Sequence, residues 1–535
     1  MILGICLSAF CVHGPAVAQG LIGPFGFDGD PFAADDQAFD RWGGLDEPLP
    51  GEPGAAGGAA MADFDSLMEL IQTTIRPDQW EALGGTSTMA PYPAGILVDP
   101  SGLVKTSASA PPADAAPTLI GLLPPTDLSE NAPAGRWTDP TPVRCVSMRR
   151  WMQRLATLAT QSAAAEAAGD ASRRPIVSQE EAEALNMTAG LSRVTLVIAT
   201  EDDLILAGPV GGFQQVDGWS VDRRSGLPPI RLSAWAVALA AIEAEVPFGC
   251  TIDPQPAALA DAADVTRQVA NGDIPIGMAA DRLAETLGRQ RVKVFGTGGG
   301  HEISWLMVEA DRHMKQLALG LEPMPEGTQD LLDVIQSEAG ENPPSDVLLR
   351  LWFTGQPMAV RHAASDAGDV YQVAGQPLRL SGENERALQS GRRGERVIEP
   401  TTEMFVERFN RNWASIRSRY PLYGALESVY HVAGLAQLWN NAGKSSDHQV
   451  MRQACTAFAA DRAVRLVTPK ETETIAVLHR YRRGQQMHHL VLASGGVLVQ
   501  PAKLLPSQAA DYPTLSGYTE LAKTRPQDRW WWNAD

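Results

Sequence analysis

The chain has 535 residues and a formal net charge of −19, because 63 Asp and Glu outnumber 44 Lys and Arg. So acidic a chain repels nucleic-acid phosphates and anionic membrane surfaces, which argues against binding to either. Hydrophobic residues make up 44% and charged residues 20% of the sequence, proportions typical of soluble globular proteins. No stretch beyond the N-terminus is long and apolar enough to predict a transmembrane helix.

The first eighteen residues have the pattern of a cleavable signal peptide. An apolar run over residues 2–12 precedes Ala16-Val17-Ala18, an A-x-A site that places cleavage between Ala18 and Gln19. The run is too short to span a bilayer, and the bulky residue before Cys11 argues against lipid attachment. No Lys or Arg precedes the run. We expect an exported protein, either periplasmic or extracellular.

Three cysteines would remain after cleavage, namely Cys145, Cys250 and Cys455. An odd number allows at most one disulfide and leaves a free thiol. Their wide spacing and the absence of a C-x-x-C motif argue against a zinc site. We expect buried thiols that pack as small apolar side chains, and the sequence leaves open whether two of them pair.

Composition divides the rest of the chain into segments. Residues 19–60 and 107–143 are rich in Gly, Pro, Ala and Asp, which predicts a flexible tether and a second linker. Between them, residues 61–106 combine helically spaced apolar residues with a short strand, which predicts a small α/β island. A folded body follows over residues 144–330 and 331–506, its first and second halves, and residues 507–535 form a tail.

Within the body, helical and strand patterns are mixed, which predicts an α/β (mixed α+β) globular fold. Strands are predicted over residues 194–198, 204–206, 248–252, 292–295, 347–353, 370–373, 474–480, 489–493 and 497–500. Helices are predicted over residues 232–244, 402–419 and 422–441, with Pro421 as the break between the last two.

The best-defined helix follows the strand at residues 292–295. Apolar residues recur at helical spacing from Ile303 to Leu321, so that one face packs into the core. Their burial stabilises the helix by on the order of 10 kcal/mol, whereas an i,i+4 ion pair such as Asp311–Lys315 contributes about 0.3–0.5 kcal/mol. We therefore expect packing to fix this helix and its charges to lie on the surface.

Three polar residues fall along one flank of this helix, namely Glu302, Glu309 and His313. A carboxylate and an imidazole together can transfer protons or hold a metal ion, so these are the candidate catalytic residues. A solvated or ion-paired flank is the alternative. His301-Glu302 also begins like the zinc motif H-E-x-x-H, but Trp305 replaces the second histidine. The sequence therefore predicts neither a metal nor another cofactor.

A glycine-rich turn, residues Gly296 to Gly300, joins the strand to this helix. Backbone N–H groups at such a turn can cradle a phosphate. The dinucleotide pattern G-x-G-x-x-G, however, requires glycine where His301 stands. A phosphate or small-ligand site and a flexible connection both remain open.

The tail ends on an aromatic cluster, Arg529-Trp530-Trp531-Trp532. Left exposed, such a cluster would dock a partner. We favour the alternative that it packs back onto the body.

Several segments of the body resemble exported planctomycete proteins of the domain-of-unknown-function family 1598. The segments are residues 207–209, 218–219, 225–228, 250–254, 308–315, 320–323, 420–423 and 494–497. The resemblance covers residues 144–505, although the family more often has an arginine at His313 and the turn from Gly298 to His301 departs from its pattern. Because the family has no assigned activity, the resemblance implies no functional residues.

The island at residues 61–106 resembles a segment of planctomycete envelope proteins. The similarity rests on Asp63-Phe64-Asp65-Ser66-Leu67, on Ile71 to Ile75 and on Trp80 to Gly85. This segment is distantly similar to the small N-terminal domain of secretins, which contacts partners. The resemblance implies that an envelope protein binds through residues 61–106.

These patterns favour a non-enzymatic envelope or interaction protein. An exported hydrolase that uses Glu302, Glu309 and His313 is one alternative, and a binder of phosphate or a small ligand at the turn Gly296–Gly300 is another. A deep polar pocket at the start of that helix would favour the hydrolase. An exposed sheet edge or apolar patch on residues 61–106 would favour partner binding.

Overall fold

The computed structural model describes most of the chain from residue 135 onward. The described residues are 135–169, 172, 175–253, 258, 265, 268, 271–296, 302–338, 349–383, 399–442, 450, 453–454, 468–483, 485–526 and 529–534, without the side chains of 383 and 481–494. The predicted cleavage site, the tether and the island therefore lie outside the described residues, as do residues 297–301 and Cys455.

The described chain alternates strands and helices, so the predicted mixed α/β body is confirmed. The strands are β1 (Thr141–Ser147), β2 (Leu196–Ala199), β3 (Leu204–Val210), β4 (Phe213–Val216), β5 (Trp219–Asp222), β6 (Phe248–Asp253), β7 (Arg289–Phe295), β8 (Leu349–Gly355), β9 (Ala359–Ala363), β10 (Asp369–Ala374), β11 (Leu378–Glu383), β12 (Glu471–Glu473), β13 (Ala476–Arg483), β14 (Gln485–Val499), β15 (Ala510–Asp511) and β16 (Trp531–Asn533). The α-helices are α1 (Met148–Ala167), α2 (Gln179–Asn186), α3 (Leu232–Glu243), α4 (Ala279–Leu287), α5 (Glu302–Ala318), α6 (Leu331–Glu338), α7 (Pro400–Arg411), α8 (Trp413–Arg419), α9 (Pro421–Asn441) and α10 (Glu520–Lys523).

Two seven-stranded sheets organise the body. The first sheet has the order β15-β9-β10-β2-β3-β1-β16, and the second has the order β11-β8-β14-β6-β7-β12 with β13 paired to β14. Neighbours are antiparallel except for β14 with β8 and β15 with β9, which are parallel. Each sheet takes strands from both halves of the predicted body, so the two halves are interleaved.

The centre of the second sheet depends on two glycines in β14. A Cβ at Gly495 would lie 1.7 Å from the carbonyl oxygen of Leu351 in β8, and one at Gly496 would lie 2.0 Å from that of Cys250 in β6. Residues with side chains would therefore push the neighbouring strands away. The strand spans Gln485–Val499 without a break, whereas the sequence predicted two short strands here.

Helix α9 lies in the middle of the core. Most of its residues are buried, because it packs against α3, α5 and the 3₁₀ turn Pro501–Leu504. Pro421 stands at its first turn, where the fixed φ of proline suits a helix start, and this confirms the predicted break. The helix predicted over residues 402–419 is two helices, α7 and α8, which are separated at Asn412.

The C-terminal segment completes the first sheet. Strand β16 pairs with β1 at one edge, and β15 pairs with β9 at the other. Leu515, Trp532 and Ala534 pack against the sheet in a second apolar cluster, and Trp530 stacks on Trp151 with ring centroids 5.8 Å apart. The aromatic cluster thus packs onto the body, as favoured from the sequence.

The described body begins upstream of the predicted boundary at Arg144. Trp137 is completely buried and β1 begins at Thr141. The guanidinium of Arg144 is also completely buried, and it donates to the carbonyl oxygens of Trp137 and Ala189 at 2.8 and 2.6 Å. The composition of this segment is rich in proline, which predicted a linker and not the start of the folded body. The residues that bury the segment lie far along the chain, so the local sequence does not indicate them.

Cys145 and Cys250 are both buried free thiols in the described part of the chain. Burial raises the pKa of Cys145 to about 12 and that of Cys250 well above its ordinary value. Thiols so strongly protonated react slowly. Both therefore behave as the small apolar side chains that the sequence predicted.

Among the helices of the described residues, none combines the length and apolar character that crossing a bilayer requires.

Candidate functional site

Helix α5 carries the three candidate residues, and the fold fixes it from several sides. It follows β7 and packs against β6, β14 and α9. Its apolar residues from Ile303 to Leu317 are buried as predicted. Gly296 follows the preceding strand with φ of +71°, and a Cβ there would lie 2.4 Å from the carbonyl oxygen of Pro247. This glycine therefore serves a close backbone approach.

Glu302 begins α5. Its carboxylate is held by Arg231, the residue before α3, and by Ser233 within α3. Arg231 donates to its two carboxylate oxygens, from Nε at 3.1 Å and from Nη2 at 2.9 Å. The Ser233 hydroxyl donates to the same carboxylate. Side chains of Arg231 and Glu302 are only 22% and 20% exposed, so this fork-like pair joins the starts of two helices.

A small cavity lies beside this pair. It has a volume of about 30 Å³ and is lined by Met187, Trp219, Ser220, Pro228, Pro229, Arg231, Ala234, Glu302, Ile303, Leu306, Ala425, Ser428 and Val429. Its walls are mainly apolar, and Nη1 of Arg231 is buried there without a hydrogen-bond partner. This space fits one or two water molecules. It is therefore not the deep polar pocket at the start of α5 that would favour a hydrolase.

Glu309 stands about two turns further along α5. Its carboxylate accepts hydrogen bonds from Nε and Nη2 of Arg312 at 2.9 and 2.7 Å. The same guanidinium donates from Nη1 to Glu473 of β12 at 2.6 Å. Burial works to raise the pKa of Glu473, but the charge of Arg312 holds that pKa below its ordinary value. One arginine thus ties the helix to the edge of the second sheet.

His313 lies one turn beyond Glu309. It packs against Tyr423 of α9 and against Tyr420, the residue before α9. Its Nδ1 is 2.8 Å from the hydroxyl of Tyr423, and its ring meets that of Tyr420 edge-on with centroids 4.7 Å apart. Burial, together with the charges of Arg312 and Arg419, lowers the pKa of His313 to about 4. The imidazole is therefore neutral at neutral pH.

The structure places the three candidates in two groups. Glu309 and His313 share one neighbourhood, since the charge of Glu309 adds to the burial that raises the pKa of Tyr423. Glu302 has its own partners at the other end of the helix. Across the described ranges, no three His, Cys, Asp or Glu side chains come close enough to hold a metal ion.

The Asp311–Lys315 pair is placed differently from the sequence prediction. Its two side chains are 0% and 1% exposed, and Nζ donates to Oδ2 at 2.7 Å. The other carboxylate oxygen, Oδ1, is buried without a partner. The prediction of a surface pair was wrong because both residues lie on the side of α5 that packs into the core.

A second buried charge, Glu427 of α9, was missed. It accepts hydrogen bonds from Arg193, from Arg417 at 2.8 Å and from the indole Nε1 of Trp413 at 2.6 Å. His431 lies one turn further and accepts a hydrogen bond from the backbone N–H of Val194 at 3.2 Å. The available signal was a glutamate inside an apolar helical run, where a charge needs partners.

Helix α5 lies in the segment that resembles a known family. Residues 250–331 match the family described as protein of unknown function (DUF1598). The resemblance to DUF1598 is thus confirmed over β6, α4, β7 and α5, a narrower range than the predicted residues 144–505. No curated protein and no solved structure matches the chain.

Proposed function

We propose that this is an exported, non-enzymatic envelope or interaction protein whose body is a rigid scaffold. One observation carries the proposal: each candidate catalytic side chain is already held by another side chain of the body. Arginines bond both carboxylates through two nitrogens each, and Tyr423 bonds the imidazole of His313.

Proton transfer to a substrate requires an accessible base beside a space for that substrate. Each carboxylate already accepts two hydrogen bonds from a guanidinium, and the cavity at Glu302 has a volume of only about 30 Å³. Small-molecule sites usually have roughly 300–1,000 Å³. These facts support a structural role for Glu302, Glu309 and His313.

The first turn of α5 also argues against the phosphate-binding alternative. The N-terminus of a helix attracts anions through its free N–H groups and its dipole. Here Glu302 places a carboxylate of the chain itself in that first turn, so the N-terminus of α5 already has an anionic group beside it. Its negative charge supports a role for the glycine turn in chain connection.

The enzymatic alternative is tested with Glu309→Gln and His313→Gln. We expect the purified protein to leave chromogenic ester, phosphate, glycoside and peptide substrates at the rate of the buffer blank. Hydrolysis that co-purifies with the protein and falls at least about tenfold in either variant would overturn the non-enzymatic proposal. Gln316→Ala, on the same helix, is the matched control for nonspecific loss.

Export is supported by the N-terminal sequence, with an apolar run followed by Ala16-Val17-Ala18. Mass spectrometry of the native protein from the source cells should find a chain that begins at Gln19, in a periplasmic or extracellular fraction. A cytosolic product that keeps Met1 would contradict the proposal.

Binding of a partner through residues 61–106 is supported by their resemblance to envelope proteins. We expect cross-linked capture from the envelope fraction to recover the same partner with the full chain and with a chain that lacks residues 107–134. A chain that lacks residues 61–106 should not recover it. Equal recovery by all three chains, or none by any, would contradict partner binding through this segment.

A further inference from the structure

A polar groove lies between α7 and the edge of the second sheet, away from the α5 candidates. Its volume is about 450 Å³, and its lining residues are Gln356, Gln376, Arg379, Glu403, Met404, Val406, Glu407 and Asn410. That volume falls in the range of small-molecule sites, roughly 300–1,000 Å³. The question is which ligand chemistry its walls would recognise.

The side-chain amides of the groove are fixed by hydrogen bonds to the backbone. Gln356 donates through Nε2 to the carbonyl oxygens of Gln376 and Leu378 at 2.8 and 3.3 Å, and Gln376 donates to that of Leu378 at 2.7 Å. Their amide oxygens accept no hydrogen bond from any described residue. The two glutamines therefore offer immobile acceptors to a ligand that carries donors.

The charges of the groove balance. Arg379 forms no hydrogen bond or ion pair with the described parts of the chain, so its guanidinium is available as a donor. Glu403 and Glu407 line the opposite wall, and Glu407 pairs with Arg411. The lining itself carries one positive and two negative charges, and Arg411 beside the groove neutralises Glu407, so the local charges balance and do not select a strongly charged ligand.

The sheet edge at the groove is closed to an added strand. Asn410 of α7 accepts the backbone N–H of Leu380 and donates to its carbonyl oxygen, both at 2.8 Å. The carbonyl of Leu378 is also bonded to the glutamines, so three backbone groups on the outer side of β11 already have partners. A peptide therefore cannot bind here by extending the sheet.

We propose that this groove binds a neutral saccharide. Sugar hydroxyls both donate and accept, so they match the fixed amide oxygens and the guanidinium on the sheet side and the carboxylates of α7 on the other. Met404 and Val406 add apolar surface for the C–H face of a pyranose ring. This inference depends neither on export nor on a partner at residues 61–106.

Native gel electrophoresis of the full chain through gels containing dextran, starch, galactomannan or hydroxyethyl cellulose tests the proposal. We expect at least one polysaccharide to retard the protein, and its free oligosaccharide to reverse the retardation. Arg379→Met should raise the dissociation constant about fivefold or more, as loss of one charged hydrogen bond predicts. Glu403→Gln is the second variant, in case the first fails to fold.

Arg361→Met is the matched control, because Arg361 is an exposed arginine on β9 of the first sheet. The gels should retard this variant as strongly as the unsubstituted protein. Far-UV circular dichroism checks the fold of each variant. Absence of retardation in all four gels would overturn the proposal, as would retardation that neither groove variant weakens. Displacement of the polysaccharide by a lysine-rich peptide would assign the groove to a cationic ligand instead.

Discussion

At the scale of single residues, Glu427 shows how this core accommodates a charge. Its side chain is 2% exposed and lies between Arg193 and Arg417, with Trp413 as a third donor. Glu427→Gln keeps the shape but removes the charge, which leaves two guanidiniums facing a neutral amide. We expect a loss of about 3–5 kcal/mol in the free energy of unfolding, the usual cost of breaking a buried ion pair.

The control for Glu427→Gln is Glu285→Gln, which removes an exposed carboxylate 2.8 Å from Arg282. Exposed pairs contribute about 0.2–1 kcal/mol, so this variant should unfold at nearly the urea concentration of the unsubstituted protein. Similar losses in the two variants would mean that Glu427 is far more hydrated than its contacts indicate.

His313 should make the stability of the protein depend on pH. Its pKa is about 4 in the folded state and about 6.5 in an unfolded chain. Between these two values the unfolded state binds a proton that the folded state excludes, so stability is lost as the pH falls. The part due to His313 between pH 7 and pH 5 should be about 1–2 kcal/mol.

His313→Gln isolates this effect, because glutamine can still hydrogen-bond the Tyr423 hydroxyl but does not titrate. Urea unfolding at pH 7 and pH 5 should show a smaller acid-induced loss in His313→Gln than in the unsubstituted protein. Gln316→Ala, next to it on α5, should keep the full loss. An equal loss in all three proteins would place His313 in contact with solvent.

At the scale of elements, the C-terminal strand β16 forms one edge of the first sheet, where it pairs with β1. Trp530 is 9% exposed and its ring lies 11° from the plane of Trp151. Trp530→Ala should lower the free energy of unfolding by about 3–5 kcal/mol, as expected for a large buried aromatic side chain. The urea midpoint should fall without a change in slope.

Tyr512→Ala is the comparison for Trp530→Ala, because Tyr512 belongs to the same C-terminal segment but is 43% exposed. Its loss should stay below about 1 kcal/mol, since little apolar surface is returned to water. A loss as large as that of Trp530→Ala would show that the whole segment, and not the tryptophan, closes the sheet.

The sequence predicted elements better than their connections. Periodicity located α5 closely, because its apolar face packs on the core, and nearly continuous apolar runs located α3 and β6, whose residues are mostly buried. It divided β14 in two, because Gly495 and Gly496 are typical of a turn when read locally. Only the structure shows that these glycines let the neighbouring strands β8 and β6 lie close to β14.

The partners of the candidate site residues were missed for a related reason. Helical spacing placed Glu302, Glu309 and His313 on one flank, but it could not show what faces that flank. Two of the partners are distant in sequence, since Arg231 is 71 residues from Glu302 and Tyr423 is 110 residues from His313. Pairing across such separations is set by the fold, and a single sequence carries little trace of it.

At the scale of the molecule, the interleaving of the two halves has an energetic consequence. In the first sheet β2 pairs with β10, and in the second sheet β6 pairs with β14. One apolar cluster also runs through both halves, from Trp137 to Trp530. Neither half can bury its sheet faces alone, so we expect the body to unfold as one cooperative unit.

Urea unfolding of the full chain, followed by tryptophan fluorescence and by far-UV circular dichroism, should give coincident transitions. A chain cut after residue 330 should give two fragments without a cooperative transition, because the cut separates β2 and β6 from their partners and leaves open strand edges prone to aggregate. A fragment that unfolds cooperatively on its own, or two separated transitions in the full chain, would mean that the halves are independent domains joined by a strand exchange.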